Sequence, residues 1–327
     1  MKTKIVVSLI VLAIGFSSCK KDDSPSKIDK TETINQGISY VNDVYYSFSN
    51  GVIAEVPRAN WDIAFSVSTR SSSIIINESA GVVLKKFPNT WSWASTIDTA
   101  GYKTWASLHN SNTTWEEGAF NQMTTGGFNY GWGDYDQVSH NIIGATKYII
   151  KLRDGSYKKI FIELKNSVNQ KYTFRFANLD GSSPILVPEL LATGSTANYI
   201  YYNLTSNSVV TNREPDAVTW DILFTRWYDI SMNYKYATGV LQNIGIKAIA
   251  LSGVDPANII YLDEQFVDNI NTIGSYWKVN DPITHLYTIP TDKVYIVKDK
   301  NSKVYQITFA SFEGTTTGIL SFKIKEL

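Results

Sequence analysis

Along most of this chain, apolar and polar residues alternate with the period of two that marks a half-buried β-strand. The pattern is plainest in Trp61-Asp62-Ile63-Ala64-Phe65 and Trp220-Asp221-Ile222-Leu223-Phe224. It returns in Tyr172-Thr173-Phe174-Arg175-Phe176 and Ile319-Leu320-Ser321-Phe322-Lys323. Clusters of Asn, Asp, Gly and Ser separate the runs at the spacing of antiparallel sheet, so the pattern predicts an all-β chain with few short helices. The best helix signal is Asp255-Pro256 through Asn269, with Pro at a first helical position and apolar residues three to four apart. The stretch from Thr90 to Leu108 fits either a short helix or an aromatic loop.

The elements occur twice, which points to an internal repeat. Tyr45-Tyr46 and Tyr201-Tyr202 precede their Trp-Asp-Ile strands by 15 and 18 residues (61 − 46 and 220 − 202). Asn77 and Gly81 answer Asn233 and Gly239, and Trp132 and His140 answer Trp277 and His285. Lys147-Tyr148-Ile149-Ile150-Lys151 answers Val294-Tyr295-Ile296-Val297-Lys298, and Lys159 falls where the second copy has Gln306. We therefore expect two tandem antiparallel β-rich domains over residues 38–181 and 198–327. A linker over 182–197 joins them, and its Pro188-Glu-Leu-Leu-Ala stretch suggests one helical turn. An Asp directly after a Trp must be solvated or hydrogen-bonded, so Asp62 and Asp221 are expected to fix a turn or a backbone.

Charge and composition narrow the function. Lys+Arg and Asp+Glu both number 30, which removes the basic footprint of a nucleic-acid binder. The single cysteine, Cys19, excludes an internal disulfide and a Cys-based zinc site. Lys2 and Lys4, an apolar run from Ile5 to Phe16 and Ser17-Ser18 before Cys19 read as a secretory signal over residues 1–18. A lone Cys at that cut resembles the lipobox of bacterial lipoproteins, which implies lipidation of Cys19, a flexible tether over 19–37 and membrane attachment through lipid only. The acidic pair in Lys20-Lys21-Asp22-Asp23 resembles the export signal of surface lipoproteins of Bacteroidetes. The resemblance implies an outer-membrane location facing the cell exterior.

Together the Tyr-rich strand, the Trp-Asp-Ile-Ala-Phe strand, the Tyr148 to Lys159 hairpin and their second copies resemble the HmuY-like family, lipid-anchored haem-binding proteins of Bacteroidetes. The resemblance implies an all-β domain, here present twice, that captures haem or a related tetrapyrrole and passes it to an outer-membrane, TonB-dependent receptor. The chain departs from the family in having two such domains. It also has Ile76-Asn77-Glu78 and Met232-Asn233-Tyr234 where Thr-Asn-Gly is expected.

Haem iron takes axial donors such as His, Met, Cys or Tyr above and below an apolar slot. In the first copy the candidate donors are His109, His140 and Met123, with His109 and His140 (140 − 109 = 31 residues apart) as the metal-binding pair. Trp105, Trp115, Phe128, Tyr130, Trp132 and Tyr135 could line the slot. His285 is the corresponding donor of the second copy, and Met232 is a further one. His140 and His285 also suit structural histidines ahead of a core strand. No Gly-x-Ser-x-Gly, His-Glu-x-x-His or phosphate-cradling loop suggests an enzyme. The other class of function is an adhesion or accessory lipoprotein that binds a glycan or a partner protein through aromatic loops such as Trp91-Ser92-Trp93 and Phe128 to Trp132.

Overall fold

The structure, a computed structural model, describes residues 27–87, 91–229, 231–232, 236–284 and 286–327. The leader, Cys19, Asn233 and His285 lie outside them. The described chain is all β, with three-residue 3-10 turns between strands. The first half carries β1 (Asp29–Asn35), β2 (Asn42–Ser47), β3 (Gly51–Pro57), β4 (Ile63–Ser66), β5 (Ile74–Ile76), β6 (Val83–Lys86) and β7 (Ser107–Leu108). It continues through β8 (Gly133–Asp136), β9 (Asn141–Gly144), β10 (Lys147–Lys151), β11 (Tyr157–Asn166) and β12 (Lys171–Asn178). The second half carries β13 (Ile185–Leu191), β14 (Tyr199–Asn203), β15 (Ser208–Val210), β16 (Ile222–Tyr228), β17 (Tyr236–Gln242) and β18 (Lys247–Leu251). It ends with β19 (Val279–Asn280), β20 (Tyr287–Thr288), β21 (Val294–Lys298), β22 (Val304–Phe312) and β23 (Ile319–Glu326).

Alternation places every second side chain inward, and two β-sandwiches result. In the first, the sheet β13-β12-β11-β10-β6-β7 packs on β15-β14-β4-β5. Its core holds Phe65, Ile76, Tyr148, Ile160, Phe174, Ile200 and Tyr202. In the second, β1-β23-β22-β21-β18 packs on β17-β16-β2-β3, over Tyr46, Phe48, Phe224, Tyr295, Ile307 and Phe322.

The sandwiches do not follow the copy boundaries read from the sequence. The first Tyr-Tyr strand, β2, pairs with β16 of the second half, and the second, β14, pairs with β4 of the first. Each half lends its Tyr-Tyr hairpin to the other. The two Asp residues staple the exchange: Asp62 Oδ2 accepts the Leu204 N–H at 2.8 Å, and Asp221 Oδ2 accepts that of Phe48 at 2.7 Å. Asp62 is also paired with Arg153 at 2.9 Å.

Other expectations change too. Residues 29–35, read as tether, form β1 and pair with β23. The Pro188 stretch of the linker is extended, as β13 on the edge of β12. No helix spans 255–269. Asp255 instead accepts the Ala257 N–H at 2.9 Å, and Ile259, Tyr261 and Phe266 pack against Ile249, Val294 and Ile296. Residues 91–106 form an aromatic loop with one 3-10 turn, Tyr102–Thr104, that leads into β7. The Asn that matches Asn77 is Asn243, because Asn77 Nδ2 donates to Trp61 O at 3.0 Å and Asn243 Nδ2 to Trp220 O at 2.7 Å. Lys159 and Gln306 do correspond. Lys159 Nζ donates to Trp93 O at 2.6 Å and Gln306 Nε2 to Pro256 O at 2.9 Å, each tying a long loop to its sheet.

Candidate functional site

Because Ile200 and Tyr202 point into one core, Tyr199 and Tyr201 point out of it; likewise Tyr46 points into the other core and Tyr45 away. Two outward faces result, each with a Trp. One carries Trp61, Ala64, Ile75, Tyr199 and Tyr201, and the other Tyr45, Val56, Trp220 and Leu223. Trp115 packs against both, and its indole N–H donates to Gln242 O at 2.8 Å. Gly118 lets the Trp115 loop lie this close to β5, since a Cβ there would sit 2.0 Å from Ile74 O.

Between the faces lies a narrow cleft of about 90 Å³, partly open to solvent. Trp61, Trp115, Trp227, Tyr45, Tyr201 and Tyr228 supply its aromatic wall, and Asp43, Glu78, Arg213 and Arg226 its charge. A smaller cavity of about 10 Å³ shares Tyr45, Trp115, Tyr201 and Leu223 as lining.

The charges are arranged unevenly. Buried Arg213 pairs with Asp43 and donates to the Tyr45 hydroxyl at 3.1 Å, while Thr225 donates to Asp43 at 2.7 Å. Arg226 has no ion pair among the described residues, and its guanidinium lies 4.5 Å from the Tyr236 ring centre. Beside the smaller cavity, Glu214 accepts from Asn198 N at 3.0 Å and from Tyr201 Oη at 3.1 Å. Burial nevertheless pushes its carboxyl up to about 7. Around the two cavities four donors have no hydrogen-bond partner among the described residues: Arg213 Nε and the indole N–H groups of Trp61, Trp220 and Trp227.

The histidines fall in different places. His109 follows β7 behind the lining residues Glu78 and Tyr228, and its Nδ1 lies 2.6 Å from Oε1 of buried Glu78. Its ring stacks on Tyr228 at 4.1 Å and an interplanar angle of 3°. Burial raises the Glu78 carboxyl pKa, opposed by the His109 hydrogen bond. His140 lies in the exposed β8–β9 turn with φ 57°, its Nδ1 2.7 Å from the Tyr135 hydroxyl.

Strand register separates them. Leu108 aligns through Leu84 and Ile150 with Lys158, whereas Asn141 aligns with Asn166. His109 and His140 thus sit near opposite ends of β11, on the order of 30 Å apart along the strand at ~3.3 Å per residue. This arrangement does not fit an iron held by both rings.

Met123 is 40% exposed in the loop after Gln122, whose Oε1 accepts the His109 N–H at 2.6 Å. Met232 N–H donates to Asp229 O at 3.1 Å. Among the described residues no three His, Cys, Asp or Glu side chains are grouped to hold a metal. Nor do the aromatics expected to line one slot come together. Trp132 is in the core, Trp105 packs on Phe87 and Tyr102, Phe128 stacks on Tyr135, and Trp115 reaches the cleft. Sequence reasoning missed Trp61, Tyr45, Tyr201, Arg213 and Arg226 as site residues. Their one signal was their place opposite the core-facing positions of each strand.

No family model matches the chain, and no curated protein matches it. Among solved structures it is similar to the crystal structure of an apo HmuY analogue from Tannerella forsythia. The identity is 11%, over 93% of this chain and 98% of that one, with a TM-score of 0.32. It is also similar to apo PinO from Porphyromonas gingivitis, at 16% identity over 55% of this chain and 91% of that one, with a TM-score of 0.24.

Proposed function

We propose that the protein is a lipid-anchored, non-catalytic capture protein of the outer cell surface. Its ligand occupies the cleft between the two sandwiches. One observation carries this reading: two aromatic faces, bridged by Trp115, meet at a cleft between the sandwiches. Haem or a related tetrapyrrole is the ligand that the sequence resemblance brings, with transfer to a TonB-dependent receptor as its sequel.

For haem the candidate axial donor is His109, which lies beside the cleft against its lining residues Glu78 and Tyr228. Metal-ligating histidines almost always give their other ring nitrogen to a carboxylate, a backbone carbonyl or a water, and Glu78 holds His109 in that way. Tyr228 fixes the ring plane from the other lobe. When bound, the haem would supply a coordinating, redox-active iron; the chain's own part is to stack, orient and shield it.

The test is a haemin titration of the full chain in detergent, read by visible absorbance. A saturable Soret shift that His109→Ala abolishes and His140→Ala leaves intact supports the haem reading. The absence of a saturable shift in the parent protein overturns it. In that case the second reading, a glycan held against Trp61, Trp115 and Trp227, takes its place, because aromatic faces rimmed by donors also suit sugar rings.

A further inference from the structure

We infer that the protein rests on its membrane with one end of the second sandwich, the end at which β1 begins, where apolar loop tips and lysines meet phospholipid headgroups. This rests on the reading that Cys19 carries the lipid, and adds to it the face that the bilayer covers.

The first observation is where the chain enters the fold. β1 starts at Asp29, opposite Lys325, so only residues 20–28 separate Cys19 from the sheet. Ten Cα–Cα steps (29 − 19) reach about 35 Å at full extension. The seven residues of β1 run about 20 Å along the sandwich. An anchor serving the opposite end would give more than half of its reach to running back beside β1. A short tether also holds the near end at a high effective concentration against the surface, so weak contacts there are populated.

The second observation is that neighbouring segments close into one end there. Ile28 O accepts the Glu326 N–H at 2.7 Å, and the Leu327 N–H donates to Val304 O at 2.9 Å. Glu326 pairs with Lys303 of the β21–β22 turn at 3.3 Å. From the same turn Lys300 Nζ donates to Ala217 O at 2.5 Å, and Asn243 Nδ2 donates to that oxygen at 2.8 Å. The loops 214–219, 243–247 and 299–303 thus lie side by side at the start of β1.

The third is what this end displays. Val218 is 79% exposed and Ile244 43%, each on one of two neighbouring loops. Around them Lys27, Lys247, Lys300, Lys303 and Lys325 are exposed. Lys27, Lys247 and Lys325 have no hydrogen bond or ion pair among the described residues. The acids are committed: Asp29 pairs with Lys323 and Asp263 with Lys298, while Asp216 accepts the Val218 N–H and Asp299 those of Asn301 and Lys303. Acids and lysines nearly balance, so the contact is local and not a long-range field. Each lysine stem lies along the interface with its ammonium on a phosphate. Two aliphatic side chains do not anchor a protein by themselves; Val218 and Ile244 seat the end at the headgroup boundary.

Hydrogen exchange read by mass spectrometry tests this on the chain from Cys19 onward. Its one thiol is coupled to a maleimide lipid in vesicles of phosphatidylethanolamine and phosphatidylglycerol, and the same chain capped with N-ethylmaleimide is the free reference. Amides of 214–219, 243–247 and 299–303 should exchange several-fold more slowly on the vesicle. Those of 36–41 and 313–318, at the opposite end of β1 and β23, should be unchanged. Val218→Asp and Lys247→Gln alter exposed side chains, so the double variant should keep its melting temperature and lose most of the protection.

Protection at 36–41 and 313–318 instead, protection nowhere, or protection that survives the double variant overturns the inference. Mass spectrometry of the Cys19 peptide from cells expressing the full chain tests the anchor separately. An acylated Cys19 with no protection at this end overturns the face alone, and an unacylated Cys19 overturns the anchor reading together with the contact that rests on it.

Discussion

A fragment cut at the copy boundary, residues 38–181, should not fold, whereas a fragment over 58–212 should. The core of the first sandwich is drawn wholly from residues between Ile63 and Leu204. The shorter cut deletes Ile200, Tyr202 and Leu204 from that core, and with them the β14 partner of β4. At about 1.5–3 kcal/mol for each large side chain, their burial contributes roughly 5–9 kcal/mol. That is comparable with the whole stability of an ordinary domain, ~5–15 kcal/mol. The same cut keeps Tyr46 and Phe48, whose core is formed by the other half and is then missing. Asp62 also loses the Leu204 N–H and stays buried with Arg153 as its remaining partner. The assay is urea unfolding followed by tryptophan fluorescence and far-UV circular dichroism. The 58–212 fragment should give one cooperative transition, and 38–181 a non-cooperative slope with a tendency to aggregate. A cooperative transition of equal midpoint in 38–181 would refute the strand exchange.

Further outcomes follow from single contacts. Asp62→Ala should cost roughly 2–4 kcal/mol in urea unfolding, because it strands the Leu204 N–H and the Arg153 guanidinium. Gly118→Ala should lower the melting temperature measurably, since its Cβ would meet Ile74 O at 2.0 Å and neither backbone can yield cheaply. Glu214 predicts a pH dependence. Its carboxyl is pushed from 4.5 to about 7 by burial, so the folded state holds a proton that the unfolded state has released. Its contribution to stability is full below about pH 4.5 and is lost as pH rises through 7, on the order of 3 kcal/mol in all. Glu214→Gln should flatten that slope in a series of urea midpoints between pH 4.5 and 8, and an unchanged slope would count against it.

The all-β class was legible because alternation is local: each strand declares its two faces by itself. Strand exchange was not legible, and the reason is degeneracy. Tyr45-Tyr46 and Tyr201-Tyr202 present the same pattern, so either hairpin satisfies either Trp-Asp strand, and nothing in the alternation names the partner. The Asp contact with the backbone could be anticipated from its need for a partner, but not that the partner would come from the other copy. Asp255-Pro256 looked like a helix start because Pro fits a first helical position. The side chain of Asp255 closes a turn instead, and Ile259 and Tyr261 then lie two apart against the outer face of a sheet. The pairing of His109 with His140 failed for a related reason. Sequence separation gave them separate loops but could not show that those loops leave opposite ends of β11.

The exchange has a consequence for the site. Each four-stranded sheet that walls the cleft contains strands from both halves of the chain, so the cleft is complete only when both Tyr-Tyr hairpins are docked. Cross-lobe contacts add to this: Trp115 to Gln242, Tyr236 to Glu78 and Asn198 to Asn243. A ligand that binds only the closed cleft stabilises both sandwiches at once, by about 2.7 kcal/mol at a hundredfold excess over its Kd. If the lobes unfold in two steps in the free protein, saturating ligand should raise the lower step and draw the two together. Hydrogen exchange would localise the effect, with protection gained at the Leu204 and Phe48 amides that the two Asp carboxylates hold. A ligand that protected the amides of one sandwich alone would mean that the site belongs to that lobe and not to the cleft between them.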